Sequence, residues 1–219
     1  MRPLGAHHAP MTEIVLPAGA LVVLVGISGS GKSTFAGRHF RATAILSSDA
    51  FRAMVADDPA DQRASAAAFE LLHLAARRRL ERRRLTVIDA TSVSRPARAT
   101  LVAIARRARR PAVAIVIDPP LAVCLTRNEA RSGRRVDPAV IARQADELAD
   151  RLAQPGALVD EGFSAVHRVA DPDEVVAVTV GGRATGRGNR TGRAGTCRSG
   201  AGTLGTAPER RPHVRRTAR

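Results

Sequence analysis

The sequence contains no tryptophan and no tyrosine, and five phenylalanines are its whole aromatic content. So few rings exclude nucleic-acid recognition by stacked aromatic platforms, which needs exposed Phe, Tyr or Trp. They also leave Ala, Leu and Val to fill the core. The two cysteines, Cys124 and Cys197, lie far apart and show no metal-ligand spacing, which excludes a disulfide scaffold. None of the six histidines has a partner at catalytic or metal spacing. Long hydrophobic runs are missing too. The longest, Ile14 to Ile27, is interrupted by Pro17 and Gly19 and is too short to span a bilayer. Arg2 ahead of it and Ala18-Gly19-Ala20 within it imitate a signal peptide. Glu13 opens the run, however, and the run continues straight into a glycine loop, so a cytoplasmic protein without a membrane partner is expected. Lysine is the scarcest charged residue: of 35 basic residues 34 are arginine, and the single lysine is Lys32.

What is present is a chain of 219 residues, 44% hydrophobic, enough for one domain with extra segments. The net charge of +15 favours polyanions without selecting among them. A GC-rich coding sequence by itself produces such an arginine excess, so the excess carries little functional information. From about residue 13 to 180, apolar runs of strand length alternate with helical stretches. Strands are expected at Leu21–Val25, Ala44–Ser47, Leu85–Asp89, Ala112–Ile117 and Ala165–Val169, and helices at 32–40, 49–56, 64–83, 96–109, 120–131 and 138–153. The 64–83 segment carries Phe69, Leu72, Ala76 and Leu80 on one face. Strands alternating with helices give an α/β fold, a parallel helix-covered sheet of about five strands whose ligands bind beyond the carboxyl ends of the strands.

Both ends depart from this pattern. Met11 is a second candidate start, and residues 1–12 are expected to be a disordered extension. Residues 181–219 hold ten arginines, one acid (Glu209) and nine of the 18 glycines, with almost no large apolar residues. Such a segment cannot offset its ordering entropy by burial and is expected to be a disordered tail. The tail carries +9 of the net charge and the body +6. A nucleic-acid tether and a frame-shifted coding end both have this composition.

Gly26-Ile27-Ser28-Gly29-Ser30-Gly31-Lys32-Ser33 fits G-x-x-x-x-G-K-[ST] at every fixed position, after an apolar strand and before a helical stretch. The glycines let successive backbone N–H groups turn inward onto phosphate oxygens, and the helix start adds its positive end. Gly26, Ser28, Gly29, Ser30, Gly31, Lys32, Ser33 and Thr34 are therefore the candidate nucleotide-binding residues. Lys32 is placed to reach the β- and γ-phosphates, and the Ser33 hydroxyl to ligate Mg²⁺. A position that stayed lysine in an arginine-saturated chain points to a need for a compact ammonium.

The strand Leu85-Thr86-Val87-Ile88-Asp89-Ala90 has Ala where a hydrolysing ATPase usually has an acid. An Asn-Lys-x-Asp guanine-reading motif is impossible with the only lysine already used, so ATP and group transfer are expected. Ser47-Ser48-Asp49 ends the second strand, with Ser48 as the expected helix cap and Asp49 and Arg52 on one side of the helix. Asp49 is the candidate base for an acceptor hydroxyl, and Arg52 the candidate cation for an acceptor phosphate. Against this stands a plain surface ion pair. Arg127 and Arg131, four apart on a helix before the Ser132–Pro138 loop with its Arg134 and Arg135, suit a lid closing on the transferring phosphoryl group. Asp57, Asp58 and Asp61 read as a solvated acidic loop rather than a metal site. Arg77 to Arg84 reads as helix-end cations rather than a phosphate track.

In this order, the Gly26–Ala36 loop, Ser47-Ser48-Asp49 with Arg52, Asp57–Gln62, Leu85–Thr91 and Arg127–Arg131 resemble the ATP-dependent 5′-hydroxyl kinase module of bacterial polynucleotide kinase-phosphatases. The resemblance covers about residues 13–180 and implies a P-loop kinase-like three-layer fold with a helical lid. It implies transfer of the ATP γ-phosphoryl group to a 5′-hydroxyl end of RNA or DNA. Lys32 and Ser33 would hold ATP and Mg²⁺, Asp49 would be the base, and Arg52 would contact the acceptor. Arg127 and Arg131 would be lid arginines on ATP, and Asp89 a carboxylate near the metal or the acceptor. The family often has Asn where this chain has Ser92, and its larger members continue into phosphatase and ligase domains where this chain enters the Arg/Gly tail. Two other readings share the sequence: a kinase for a small hydroxyl compound such as a sugar or an antibiotic, and a nucleic-acid-binding protein switched by ATP.

Overall fold

The computed structural model describes residues 12–131, 135–170 and 175–181. The expected tail beyond Gly181, the N-terminal residues up to Met11, and Ser132, Gly133 and Arg134 of the lid loop lie outside them.

The Ile14–Ile27 run divides at a turn. It forms β1 (Thr12–Pro17) and, after the Ala20 N–H has closed onto the Pro17 carbonyl at 3.2 Å, β2 (Leu21–Val25). In chain order there follow α1 (Lys32–His39), β3 (Ile45–Ser47), α2 (Ser48–Ala56) and α3 (Ser65–Glu81). Then come β4 (Thr86–Asp89), α4 (Arg95–Arg107), β5 (Ala112–Ile117), α5 (Leu121–Glu129), α6 (Pro138–Leu152), α7 (Ala157–Asp160), β6 (Ala165–Val169) and β7 (Val175–Gly181). Five strands form one parallel sheet in the order β3-β4-β2-β5-β6. β2 lies at its centre, and every one of its residues is buried. A strand covered on both faces has no polar side to show, which is why it reads as an unbroken apolar run.

The two faces of the sheet are covered differently. Leu21, Val23, Val25, Ile88 and Val116 pack against α3 and α4 through Leu72, Ala76, Leu80, Leu101 and Ala105. Val22, Leu24, Val113, Ile115 and Ile117 pack against Phe35 and Ala36 of α1 and against Ile14 and Leu16 of β1. β1 pairs in parallel with β7 outside the main sheet, so part of the third layer is a β-ribbon rather than helix.

Several boundaries differ from the sequence pattern for local reasons. α3 and α4 each end two residues early because each closes in a Schellman turn with arginine in the left-handed position. Arg83 (φ 56°) and Arg109 (φ 53°) take that conformation, and Arg84 and Arg110 donate back to the Arg79 and Ala105 carbonyls at 3.0 and 2.9 Å. The cap of α2 is Ser47 rather than Ser48: Ser47 is extended and its hydroxyl accepts the Ala50 N–H at 3.4 Å, while Ser48 is already helical. After β2 the chain crosses to β3 on one side, and β5 pairs with β2 on the other. This reversal opens a crevice at the carboxyl end of β2.

Candidate nucleotide and acceptor site

Residues 26–33 occupy that crevice, between β2 and the start of α1. Gly29 has φ 85°, and a Cβ there would lie 2.3 Å from the Cys124 carbonyl oxygen of α5. Only glycine lets the loop and the lid helix approach so closely. The Gly26 N–H donates to the Thr91 carbonyl at 3.2 Å, tying the loop to the turn after β4.

Lys32 is buried, and its ammonium donates to the Gly26 and Ile27 carbonyls at 2.9 and 2.8 Å and to the Ser30 hydroxyl at 3.4 Å. Burial lowers its pKa to about 8; the Asp89 charge opposes that drop and the Arg131 charge adds to it. Burial likewise pushes the Asp89 carboxyl up, against the Ser33 hydroxyl and the Lys32 ammonium, which favour the carboxylate.

Ser28, Lys32 and Ser33 face a cavity of about 550 Å³. Asp49, Arg52, Asp89 and Arg131 line the same cavity, so the two halves of the expected constellation meet there. Arg52 is buried, and its Nη2 donates to Asp49 Oδ1. Its Nε donates to the Pro59 carbonyl at 3.0 Å. Nη1 has no hydrogen-bond partner among the described residues. The Asp49 side chain is 57% exposed, so this is an ion pair with one buried cation and one accessible carboxylate.

Arg131 reaches the cavity because Asn128 shapes the chain after α5. The Asn128 amide donates to the Val136 carbonyl at 2.8 Å and accepts the Val136 N–H at 2.9 Å. Arg127 is exposed and is not among the residues lining the cavity; its Nη1 donates to the Ser30 carbonyl at 3.5 Å. Thr34 is exposed in the first turn of α1 and does not line the cavity either.

Other features fall elsewhere. Asp58 and Asp61 accept the Ala60 and Arg63 N–H groups at 2.8 and 2.9 Å, and Asp57 ends α2 in the left-handed conformation. Among the described residues no group of three or more His, Cys, Asp or Glu is placed to hold a metal ion. Within the Arg77–Arg84 run, Arg78 pairs with Glu81 and Arg79 donates to the Leu85 carbonyl. No residue of the run lines the cavity.

Phe69, expected on the apolar face of α3, lines the cavity together with Gln62, Val136 and Val140. Two groups carried no sequence signal. Gln144 of α6 accepts the Ser28 N–H at 3.0 Å. Arg98, 1% exposed, donates to the Ser92 and Val93 carbonyls and to both oxygens of Glu161, which Arg151 also holds at 2.8 Å. Arg98 thus fixes the turn after β4, whose Ser92 and Val93 line the cavity. Within that turn Ser92 has φ 47°, a conformation that asparagine accepts more readily than serine.

A model of the AAA domain family matches residues 21–155, more than half of the chain. The chain belongs to this AAA-domain family. No curated protein matches the sequence. Among solved structures, a chain of the Pnkp1/Rnl/Hen1 RNA repair complex is 24% identical with a TM-score of 0.53. That match covers 62% of this chain and 45% of the other. A further Pnkp1/Rnl/Hen1 structure is 27% identical with a TM-score of 0.44 and covers 51% and 39%. A gluconokinase from Sinorhizobium meliloti is 20% identical with a TM-score of 0.44 and covers 73% and 89%. The chain therefore spans less than half the length of the chains that it matches in these two complexes. The AAA-domain protein has a P-loop kinase-like fold, with residues 26–33 as the loop between β2 and α1. Among the described residues no helix is long and apolar enough to cross a membrane.

Proposed function

We propose that the protein is an ATP-dependent kinase that phosphorylates the 5′-hydroxyl end of an RNA or DNA strand in the cytoplasm. The carrying observation is the shared cavity: Lys32, Ser33, Asp49, Arg52 and the apolar Phe69, Val136 and Val140 all line it. A nucleoside offers a flat apolar base, a hydroxyl and a following phosphodiester. These suit, in turn, the apolar lining, Asp49 and Arg52 Nη1, which has no partner among the described residues. A small sugar would leave the apolar lining facing water.

In the proposed reaction the Asp49 carboxylate orients the 5′-hydroxyl and takes its proton as the oxygen bonds the γ-phosphorus. The bond from that phosphorus to the β–γ bridging oxygen breaks, and ADP leaves with the electron pair. In a loose transition state of this kind, positioning and charge neutralisation dominate. Lys32 and Arg131 face the transferring group, and Arg127 braces the loop through Ser30. The Ser33 hydroxyl and the Asp89 carboxylate are neighbouring hard oxygen donors on the cavity lining and would hold Mg²⁺ there. When bound, the ion neutralises charge on the β- and γ-oxygens. The +9 tail of residues 181–219 supports a further, salt-sensitive contact with the strand's phosphates. An acceptor panel with γ-labelled ATP tests the assignment: label is expected in 5′-hydroxyl oligonucleotides and not in sugars, sugar acids or aminoglycosides.

A further inference from the structure

Gln144 lies 116 residues from Ser28 in sequence, yet its Oε1 accepts the Ser28 backbone N–H at 3.0 Å. That N–H can only donate, so the amide orientation is set: Oε1 faces the loop and Nε2 points away from it. Among the described residues Nε2 has no hydrogen-bond partner. Val140, Gln144 and Glu147, spaced four and three apart on α6, all line the cavity. The two N–H groups of Nε2 are therefore left for the cavity that Gln144 lines beside the loop. Ser28 precedes Lys32 by four residues and faces the same cavity as Asp49. On the nucleotide reading of the site, the terminal phosphoryl group of a bound triphosphate would enter this cavity, which Ser28 and Asp49 both line.

We propose that Gln144 is a γ-phosphoryl-binding residue, held by the Ser28 N–H through Oε1 and donating through Nε2 to a γ-phosphate oxygen. It would then act as a lid-borne donor beside Lys32 and Arg131. The inference rests on the nucleotide reading of the site and not on the identity of the acceptor. A donor to an anionic oxygen strengthens binding by roughly tenfold or more. Such a donor discriminates a triphosphate from a diphosphate, because a diphosphate has no γ-oxygen for it to reach.

The test compares equilibrium affinities of a non-hydrolysable ATP analogue and of ADP, both with Mg²⁺, for the full chain and for Gln144→Ala and Gln144→Glu. Gln144→Ala is expected to weaken the analogue about tenfold and leave ADP within twofold. Gln144→Glu keeps an acceptor for the Ser28 N–H but replaces the donor with a charged oxygen, so it is expected to weaken the analogue further, again sparing ADP. Equal changes for both nucleotides would overturn the proposal and make Gln144 a clasp on the empty loop; so would no change in either. Failure of the unaltered chain to bind ADP would instead remove the nucleotide site itself.

Discussion

Arg52 and Asp49, one helical turn apart on α2, are joined by a hydrogen bond from Nη2 to Oδ1, while Nε of the same guanidinium is fixed to the Pro59 carbonyl at 3.0 Å. The arginine is thus positioned from two sides and in turn positions the carboxylate. Asp49→Ala is expected to lower transfer by about 10²- to 10⁴-fold, the range of a placed general base, while ATP affinity stays within twofold. Steady-state rates together with an ATP titration check this. Unchanged turnover would remove Asp49 as the base.

The contact of Gly29 with the Cys124 carbonyl makes a second prediction. Gly29→Ala puts a Cβ 2.3 Å from that oxygen at φ 85°, so the loop or α5 must move. Strained backbone of this kind costs about 1–3 kcal/mol, and nucleotide affinity is expected to fall more than tenfold. Gly37→Ala, inside α1 with nothing within 4 Å of an added Cβ, is the control. It is expected to stabilise the fold by about 0.5–1 kcal/mol and to leave ADP affinity unchanged. Thermal melts and ADP titrations of the two variants check both statements.

The buried Arg98–Glu161–Arg151 group has a pH signature. Burial raises the Glu161 pKa, but the hydrogen bonds and charges of Arg98 and Arg151 outweigh it and hold the carboxyl below its ordinary 4.5. The folded state then binds fewer protons than the unfolded state in the acid range. The stabilisation is complete above pH 4.5 and is lost as pH falls through the folded value. Glu161→Gln strands the Arg98 charge and is expected to cost about 3–5 kcal/mol at pH 7, with a flatter acid limb in denaturant titrations. Equal stability of the two proteins at pH 7 would show that the triad holds nothing together.

Legibility in the sequence followed distance along the chain. The phosphate loop could be read because its chemistry is packed into consecutive residues, and β2 and β5 because buried strands are plain apolar runs. β1 merged with β2 in the Ile14–Ile27 run, since the turn at Pro17–Ala20 interrupts it for only a few residues. β7 forms only by pairing with β1, about 160 residues away, and α7 is too short for a periodic signal. The positive-φ turns at Arg83 and Arg109 lack the glycine that usually marks them. Gln144 and Glu161 act on partners 116 and 63 residues away, and nothing local distinguishes them from surface residues of an amphipathic helix or a loop.

The central claim is a phosphoryl transfer from the loop that holds Lys32 to a hydroxyl held at Asp49. The most direct measurement incubates the full chain with γ-labelled ATP, Mg²⁺ and a single-stranded oligonucleotide bearing a 5′-hydroxyl, beside the same strand bearing a 5′-phosphate. Label is expected at the 5′ end of the first strand only, releasable by a phosphatase, and absent with Lys32→Ala, which is expected to lose nucleotide binding as well. Intact ATP binding without label transfer to the 5′-hydroxyl strand would contradict the account.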